Sequence, residues 1–320
     1  SAETIEVSNP ATDEIVALAC CADKSDLDRA LEAAERGFKL WSKTSPWERS
    51  KILNRCASLI EERMSELAVL MTLEQGKPLA ESRGELDRTV DVFQWCAGEA
   101  IRTYGRLLPQ RQRGYRQTTI KEPIGPVAAF APWNFPGVMF GRKIAAALGA
   151  GCSIIIKPSE ESPGVSSGIV KACQDAGVPN GVLNMVMGDP AMISDHLIRS
   201  PIIAKVSLTG SVAVGRQLSK LAGEYLKPAT MELGGHAPVL VFGDADAEKA
   251  ADMTAGFKYR NAGQVCLGVS RIYVHESVYQ TFLSRFTGRV NALVVGDGMK
   301  EGVTMGPLAN ERGVQNMERI

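Results

Sequence analysis

The chain has 320 residues, of which 45% are hydrophobic and 22% are charged, so it can bury a sizeable core and is long enough for two domains. Lysine plus arginine and aspartate plus glutamate each number 36, and the net charge of zero argues against nucleic acid or an acidic membrane surface as a partner. Seven unevenly spaced cysteines, no signal peptide and no apolar run near the roughly 20 residues of a membrane span predict a cytoplasmic, globular protein that binds small molecules.

The first hundred residues predict helices. Ser25 and Asp28 make a capping-box-like start to one helix, and Pro46 suits the first position of the next. Four apolar residues then recur at helical spacing and predict a stripe that faces the core: Ile52, Cys56, Leu59 and Ile60. The segment 103–122 is polar and compatible with β structure, and we expect it to form a protruding hairpin or arm.

From residue 124 onwards, short apolar strands alternate with amphipathic helices. The strands are predicted in "PVAAFAP", "SIIIKPS", "VLNMVMG" and "AKVSLTGS", with helices between them. Strict alternation is typical of parallel βαβ units. The predicted fold class is therefore α/β, with a doubly wound, Rossmann-like parallel sheet.

Ligands of such sheets bind at the carboxyl ends of the strands, so the residues after each apolar run are candidate site residues. Gly210 and Gly215 bracket a strand-to-helix turn whose N–H groups could face a phosphate, although a tight turn needs glycine in any case. Lys157 and Glu160 could hold ribose hydroxyls or could simply be solvated. The G-x-G-x-x-G fingerprint of dinucleotide sites is absent from the sequence.

A set of short motifs occurs together in order. They are "PWNFP" at 132–136, "KPSE" at 157–160, "LTGS" at 208–211, "MELGG" at 231–235 and "GQVC" at 263–266, with "NPAT", "EQGKP" and "MGPL" around them. In this order and approximate spacing they resemble the aldehyde dehydrogenase superfamily over nearly the whole chain. Any one motif could be chance, whereas the ordered set is specific.

The resemblance implies that Cys266 is the nucleophile. Its thiol would form a thiohemiacetal with the aldehyde, hydride would pass to the nicotinamide, and the resulting thioester would be hydrolysed. The alternative, a buried structural cysteine, is our expectation for four other thiols: Cys56, Cys96, Cys152 and Cys173. The polar "NAGQ" before Cys266 is a poor core sequence.

Three further residues match the chemistry of this reaction. Asn134 matches the family's oxyanion donor, with the Cys266 backbone N–H as the second, although an asparagine between two prolines could be a turn residue. Lys143 matches a lysine near the oxyanion and the proton path. Glu232 matches the general base for thioester hydrolysis, and its apolar neighbours predict a partly desolvated carboxylate.

The resemblance also implies the cofactor contacts. Lys157 and Glu160 match the adenosine-ribose contacts, while Trp133 and Ser211 would lie near the pyrophosphate and Gly210 and Gly215 would shape the turn. A carboxylate at Glu160 would repel a 2′-phosphate, which favours NAD and leaves NADP possible. No motif indicates a metal site.

Two arginines indicate the substrate class. Arg142 and Arg260 match the pair that grips the distal carboxylate in succinate-semialdehyde dehydrogenases, and two guanidiniums suit bidentate carboxylate recognition. The alternative is two surface arginines in ordinary ion pairs. Other segments resemble α-ketoglutaric semialdehyde dehydrogenases, so the tail length stays open, as does an aldehyde dehydrogenase of another substrate range.

The sequence departs from the family pattern in length. It stops at Ile320, before the family's "E-x-F-G-P" stretch and final strand, and the strand that usually precedes "NPAT" is missing or shortened. We therefore expect a cofactor domain over residues 1–233, with an oligomerisation arm at 103–122, and a truncated catalytic domain over 234–320. The arm predicts a homodimer or homotetramer.

Three rival functions stay open at this point. One is a non-catalytic dinucleotide-binding fragment that has kept its site residues. A second is an acylating, CoA-dependent dehydrogenase, against which Glu232 argues. A third is a cysteine hydrolase, for which no histidine lies in a suitable motif.

Overall fold

The computed structural model describes residues 3–319. The strands are β1 (Thr4–Ser8), β2 (Ile15–Cys20), β3 (Arg106–Leu108), β4 (Gln117–Thr119), β5 (Val127–Phe130), β6 (Ile154–Lys157), β7 (Leu183–Met185), β8 (Lys205–Gly210), β9 (Ala229–Leu233), β10 (Val239–Val241) and β11 (Ile272–Val274). The helices are α1 (Lys24–Trp41), α2 (Pro46–Glu62), α3 (Met64–Gln75), α4 (Leu79–Ala100), α5 (Val138–Gly149), α6 (Pro163–Asp175), α7 (Pro190–Arg199), α8 (Val212–Glu224), α9 (Ala247–Lys258), α10 (Glu276–Asn291) and α11 (Glu311–Glu318). A 3-10 helix spans Arg260–Gly263.

The centre of the fold is a parallel sheet with strand order β7-β6-β5-β8-β9. The chain moves outward from β5 to β7, returns to β8 beside β5 and then continues to β9. The direction of winding therefore reverses between β5 and β8, which is the switch point where doubly wound folds bind ligands. This arrangement confirms the predicted fold class.

Helices cover both faces of this sheet because successive side chains of a strand point to opposite sides. Val127 and Ala129 pack in a core cluster with α2 to α6, whereas Ala128 and Phe130 pack in a second cluster with α1, α7 and α8. Strands β5 and β6 are buried on both faces, as is typical of a parallel sheet. The predicted stripe on α2 belongs to the first cluster.

One expectation for the amino-terminal part is wrong. The capping box of α1 is formed by Asp23 and Asp26, two residues before the predicted pair Ser25 and Asp28. Of the two alternatives for the strand before "NPAT", missing or shortened, the structure excludes the first, since β1 pairs antiparallel with β2. Pro46 takes the first position of α2 as predicted, behind the N-cap Ser45.

The predicted arm is a short hairpin. Strands β3 and β4 pair antiparallel, with Arg106 opposite Thr119, and all of their residues are exposed. Leu107 is 74% exposed and Ile120 is 73% exposed. The hairpin therefore offers apolar side chains that the described residues leave uncovered.

Beyond the central sheet, β10 and β11 form a separate parallel pair. They pack with α9 and α10 around a small core of Val241, Ala251 and Phe282. Within residues 3–319, no helix has both the length and the apolar character needed to cross a membrane.

Candidate active site

A cavity of about 630 Å³ lies between α5 and one face of the central sheet. Its floor comes from alternate residues of three strands: Val127 and Ala129 of β5, Lys205, Ser207 and Thr209 of β8, and Thr230 and Glu232 of β9. The intervening residues Val206 and Leu208 pack in the core of the opposite face. The alternation of each strand thus separates cavity-lining side chains from core side chains.

Cys266 lies at the wall of this cavity, in the loop that follows the 3-10 helix. It is half-buried and a free thiol. The backbone N–H of Gly235 donates to the carbonyl of Cys266 at 3.2 Å, which joins the "MELGG" loop to the cysteine loop. The structure therefore brings together two motifs that are distant in sequence.

The backbone that leads to Cys266 is strained. Asn261 and Ala262 have φ values of 51° and 53°, in the left-handed region, which asparagine tolerates but which disfavours alanine. Asn261 is held by its neighbours, since its N–H donates to Glu81 Oε2 at 2.9 Å and its Nδ2 donates to the carbonyl of Asn134 at 2.8 Å. Such strain persists only where the surroundings fix it, and it is common at functional sites.

Asn134 lies beside the cysteine loop. Its Nδ2 donates to the carbonyl of Gln264 at 2.9 Å, two residues before Cys266. Gln264 is fixed in turn, because its Nε2 donates to the carbonyl of Asn261 and its Oε1 accepts from the N–H of Ala309. The amide of Asn134 is thus held at a defined place next to the thiol loop.

Sequence reasoning missed the buried ion pair beneath this loop. Lys77 and Glu85 are fully buried and pair at 2.5 Å. Lys77 Nζ also donates to the carbonyl of Asn134 at 2.8 Å and lies 4.2 Å from the ring centroid of Phe135. Glu85 Oε1 accepts from the N–H of Gly137 at 2.7 Å. The one available signal was the lysine within "EQGKP".

Lys143 and Glu232 also line the cavity. Lys143 Nζ donates to Ser207 Oγ at 2.9 Å. Burial lowers the pKa of Lys143 to about 8, while the charge of Glu232 acts in the opposite direction. Glu232 itself is exposed, so the desolvation predicted from its apolar neighbours is wrong. Those neighbours flank it along the strand but do not cover its carboxylate.

Apart from Glu232, all of the charged side chains that line the cavity are cationic. Arg142 is exposed on α5, and Arg260 stacks on Phe135 with its guanidinium carbon 4.9 Å from the ring centroid. Sequence reasoning missed two more cations that line the cavity, Arg88 of α4 and Lys205 of β8. An exposed arginine in an amphipathic helix has no local feature that distinguishes it from a solvated one.

The other cysteines are located as follows. Cys56, Cys152 and Cys173 are buried as expected, whereas Cys96 is only half-buried, contrary to the prediction. Cys152 also lines the cavity. A thiol of the cavity other than Cys266 is therefore available as a matched control.

A second group of predicted residues lies at the carboxyl edge of the sheet and not in the cavity. Lys157 ends β6, is buried, and pairs with the half-buried Glu160. Trp133 follows β5, the neighbouring strand, and is half-buried. Because neighbouring parallel strands end at the same edge, these residues and the loop after β8 lie side by side, and we call this group the carboxyl-edge row.

The loop after β8 leads into α8. Gly210 ends the strand, and Ser211 is the N-cap, whose Oγ accepts from the N–H of Val214 at 3.3 Å. Gly215 lies within α8, where a Cβ atom would come 2.5 Å from Leu233 Cδ2. Gly215 therefore permits close packing of α8 on β9, in addition to any role in the turn.

Within residues 3–319, no group of three or more histidine, cysteine, aspartate or glutamate side chains is arranged to hold a metal ion. The carboxyl-edge row instead contains the amino terminus of α8, with its backbone N–H groups, and the carboxylate of Glu160. Helix amino termini bind phosphate groups, and carboxylates accept hydrogen bonds from hydroxyl groups.

The sequence matches the aldehyde dehydrogenase family over residues 1–320. The chain belongs to this family. It is 40% identical over 316 residues to the NADP⁺-type succinate-semialdehyde dehydrogenase of Escherichia coli, covering 99% of this chain and 66% of that protein. It is 41% identical over 318 residues to the 3-sulfolactaldehyde dehydrogenase of Pseudomonas putida, covering 99% of this chain and 65% of that protein.

A solved structure agrees with these similarities. The crystal structure of succinate-semialdehyde dehydrogenase from Burkholderia pseudomallei superposes with a TM-score of 0.97 at 41% identity. The superposition covers 99% of this chain and 66% of that one. The chain thus spans slightly less than two thirds of the length of these relatives.

Proposed function

We propose that the complete protein oxidises a carboxylate-bearing semialdehyde to the dicarboxylic acid with NAD(P) as the hydride acceptor. The observation that carries the proposal is the shared cavity: a free thiol, a carboxylate and a lysine of lowered pKa lie together with two arginines. The family membership and the similarity to semialdehyde dehydrogenases support the same reaction class.

In the proposed reaction, the Cys266 thiolate adds to the aldehyde carbon and forms a carbon–sulfur bond, leaving an oxyanion. The Nδ2 of Asn134 and the backbone N–H of Cys266 would stabilise that oxyanion. A nicotinamide dinucleotide held by the residues proposed below would supply the hydride acceptor for this carbon. As the carbon–hydrogen bond breaks, the carbonyl re-forms and the product is a thioester on Cys266.

Hydrolysis of the thioester requires a base, for which we propose Glu232. Its exposed carboxylate would take a proton from water, the resulting hydroxide would add to the thioester carbon, and the Cys266 thiolate would leave. Lys143 donates a hydrogen bond to Ser207, and the charge of Glu232 raises the pKa of Lys143 against the effect of burial. We assign Lys143 a supporting role in stabilising the oxyanion and relaying the proton.

For the cofactor we propose the carboxyl-edge row. Glu160 and Lys157 would contact the adenosine ribose, while Trp133, Gly210 and Ser211 would approach the pyrophosphate at the amino terminus of α8. The carboxylate of Glu160 disfavours a 2′-phosphate and supports NAD. The E. coli relative, whose name specifies NADP⁺, supports keeping both dinucleotides in the test.

For the substrate we propose that Arg142 and Arg260 bind the distal carboxylate. Neither arginine has an ion-pair partner among residues 3–319, which argues against the alternative of two surface arginines in ordinary ion pairs. Two guanidiniums without an ion-pair partner favour binding an anion.

The test is a panel of aldehydes with and without a terminal carboxylate, assayed with the native protein and with Arg142→Ala and Arg260→Ala. We expect succinate semialdehyde and α-ketoglutaric semialdehyde to be preferred over butanal by the native protein. Each substitution should raise KM for the acidic aldehydes while leaving butanal unchanged. A native preference for butanal would contradict the substrate assignment.

We also propose the organisation of the complete protein. The cofactor domain would span residues 1–233, and the residues from 234 onwards would begin the catalytic domain. The exposed apolar residues of the β3–β4 hairpin support its use as an oligomerisation arm in a homodimer or homotetramer. The free thiols support a reducing compartment such as the cytoplasm.

A further inference from the structure

The cavity contains a guanidinium that the proposed reaction does not use. Arg88 is exposed on α4, the helix that packs against α5, and it lines the same cavity as Cys266, Arg142 and Arg260. Among residues 3–319 it has no hydrogen bond or ion pair. An exposed arginine without a partner is free to bind a ligand that enters this cavity.

The charges of the cavity wall are strongly unequal. Five cationic side chains line it, and Glu232 is the single carboxylate among the lining residues, all of which lie within the described part of the chain. The cations are Arg88, Arg142, Lys143, Lys205 and Arg260. A cleft whose wall charges are mostly of one sign concentrates ligands of the opposite sign.

Arg88 and Arg260 are close enough to affect each other. Burial lowers the pKa of Arg260, and repulsion from Arg88 is the next largest cause, ahead of the opposing attraction from Glu81. This repulsion disfavours two neighbouring guanidiniums. An anion that contacts both would offset the repulsion, which makes the binding of an anion between them more favourable.

The number of donors indicates what kind of anion fits. Two guanidiniums in bidentate contact provide four N–H groups, and a carboxylate accepts at about four lone-pair sites. Arg142 and Arg260 would therefore satisfy a single carboxylate. A third guanidinium needs a further acceptor, such as the keto oxygen of an α-keto acid or the third oxygen of a sulfonate.

We propose that Arg88 is a specificity-determining residue that binds the tail of the substrate, and that this tail presents at least three acceptor oxygens. The proposal rests on the function given above and deepens its substrate class. It identifies an α-keto carboxylate or a sulfonate, attached through a short chain to the aldehyde, as the group that the three arginines recognise together.

The test compares four aldehydes in the complete protein with NAD and with NADP. Succinate semialdehyde presents two tail oxygens, α-ketoglutaric semialdehyde and 3-sulfopropanal each present three, and butanal presents none. We expect the native protein to have a higher kcat/KM for at least one three-oxygen tail than for succinate semialdehyde. The comparison between the keto acid and the sulfonate distinguishes the two sources of the third oxygen.

The variant Arg88→Gln removes the guanidinium without disturbing the core, because the side chain is exposed. It should lower kcat/KM for the preferred three-oxygen tail about tenfold or more, chiefly through KM, since one charge-assisted contact is lost. The value of kcat/KM for succinate semialdehyde should fall less, and that for butanal should be unchanged. Arg88→Lys keeps the positive charge but loses the planar guanidinium that can contact two oxygens at once, so it should recover only part of the lost kcat/KM.

The matched control is Arg83→Gln, which removes an exposed arginine of the same helix that does not line the cavity. It should leave every kcat/KM unchanged. The inference is overturned if Arg88→Gln matches Arg83→Gln, if it affects all acidic aldehydes equally, or if succinate semialdehyde is the best substrate of the native protein. A protein that oxidises none of the four aldehydes contradicts the proposed function instead.

Discussion

Lys77 Nζ donates a 2.8 Å hydrogen bond to the backbone carbonyl of Asn134, which connects a fully buried ion pair to the proposed oxyanion amide. The side-chain Nδ2 of Asn261 donates to the same carbonyl oxygen. The loop that positions Asn134 is therefore fixed from both the α4 side and the cysteine side. Its rigidity comes from buried polar contacts that are complete only in the folded chain.

Removal of the buried Lys77 should destabilise the fold. In Lys77→Met, Glu85 keeps its buried charge without a cationic partner, which should lower the free energy of unfolding by about 3–5 kcal/mol. Urea denaturation at pH 7 measures the change. Lys51→Met is the control, because Lys51 is exposed on α2 and should change stability by about 0.5 kcal/mol or less. Equal stabilities of the two variants would contradict the buried-pair account.

Removal of the oxyanion donor should slow the chemical step. Asn134→Ala removes one preorganised N–H donor and should lower kcat by about 10²–10³. The rate of Cys266 alkylation by iodoacetamide reports whether the thiol loop keeps its structure. We expect alkylation to continue at the native rate. A parallel loss of alkylation would indicate that Asn134 maintains the loop through its bond to Gln264 rather than acting on the substrate.

Lys143 predicts a pH dependence of activity. Its pKa is lowered to about 8 by burial, so the uncharged amine, which can accept a proton, becomes the major form above pH 8. In a plot of kcat against pH, kcat should rise around pH 8 in the native protein. This rise should be absent in Lys143→Met. Glu232 raises the pKa of Lys143, so the rise should move to lower pH in any residual activity of Glu232→Gln. Lys205→Met, which removes another cavity lysine, should keep the rise.

Glu74 predicts a pH dependence of stability. Burial raises the pKa of Glu74 to about 7, against two opposing backbone hydrogen bonds from Gly164 and Val165. The folded chain therefore binds more protons than the unfolded chain between pH 4.5 and 7. The stability contribution is present below pH 4.5 and is lost as pH rises through 7, by a few kcal/mol.

Urea denaturation at pH 5 and pH 8 measures this effect. The native chain should lose stability between the two values, and Glu74→Gln should lose less because its side chain is neutral throughout. Glu66→Gln, which alters an exposed carboxylate of the same helix, should behave as the native chain does. An equal pH dependence of all three proteins would exclude Glu74 as the cause.

The central strands were predictable because their signals are local. The apolar runs of β5, β6 and β8 are each followed by proline or glycine, and β6 and β8 each lie between helical segments. The capping box of α1 was misplaced by two residues because Asp23, Ser25, Asp26 and Asp28 all have side chains that can cap a helix. Local chemistry alone does not decide among them.

The cavity was predictable only where a motif marked it. Cys266, Glu232 and Asn134 belong to segments with a recognisable order, whereas Arg88 has no such context. Its approach to the cavity depends on the packing of α4 against α5, which is a property of the assembled fold. For the same reason, the exposure of Glu232 could not be inferred from the apolar residues beside it.

The most direct test of the central claim is a mass measurement of the acyl group on Cys266. The variant Glu232→Gln should hydrolyse the thioester slowly, so addition of NAD(P) and a semialdehyde should leave one acyl group per chain on the Cys266 peptide. Combining it with Cys266→Ala should abolish the adduct and dinucleotide reduction, while combining it with Cys152→Ala should preserve both. Dinucleotide reduction at the native rate in the Cys266→Ala combination, or an acyl group on Cys152 instead, would contradict the account.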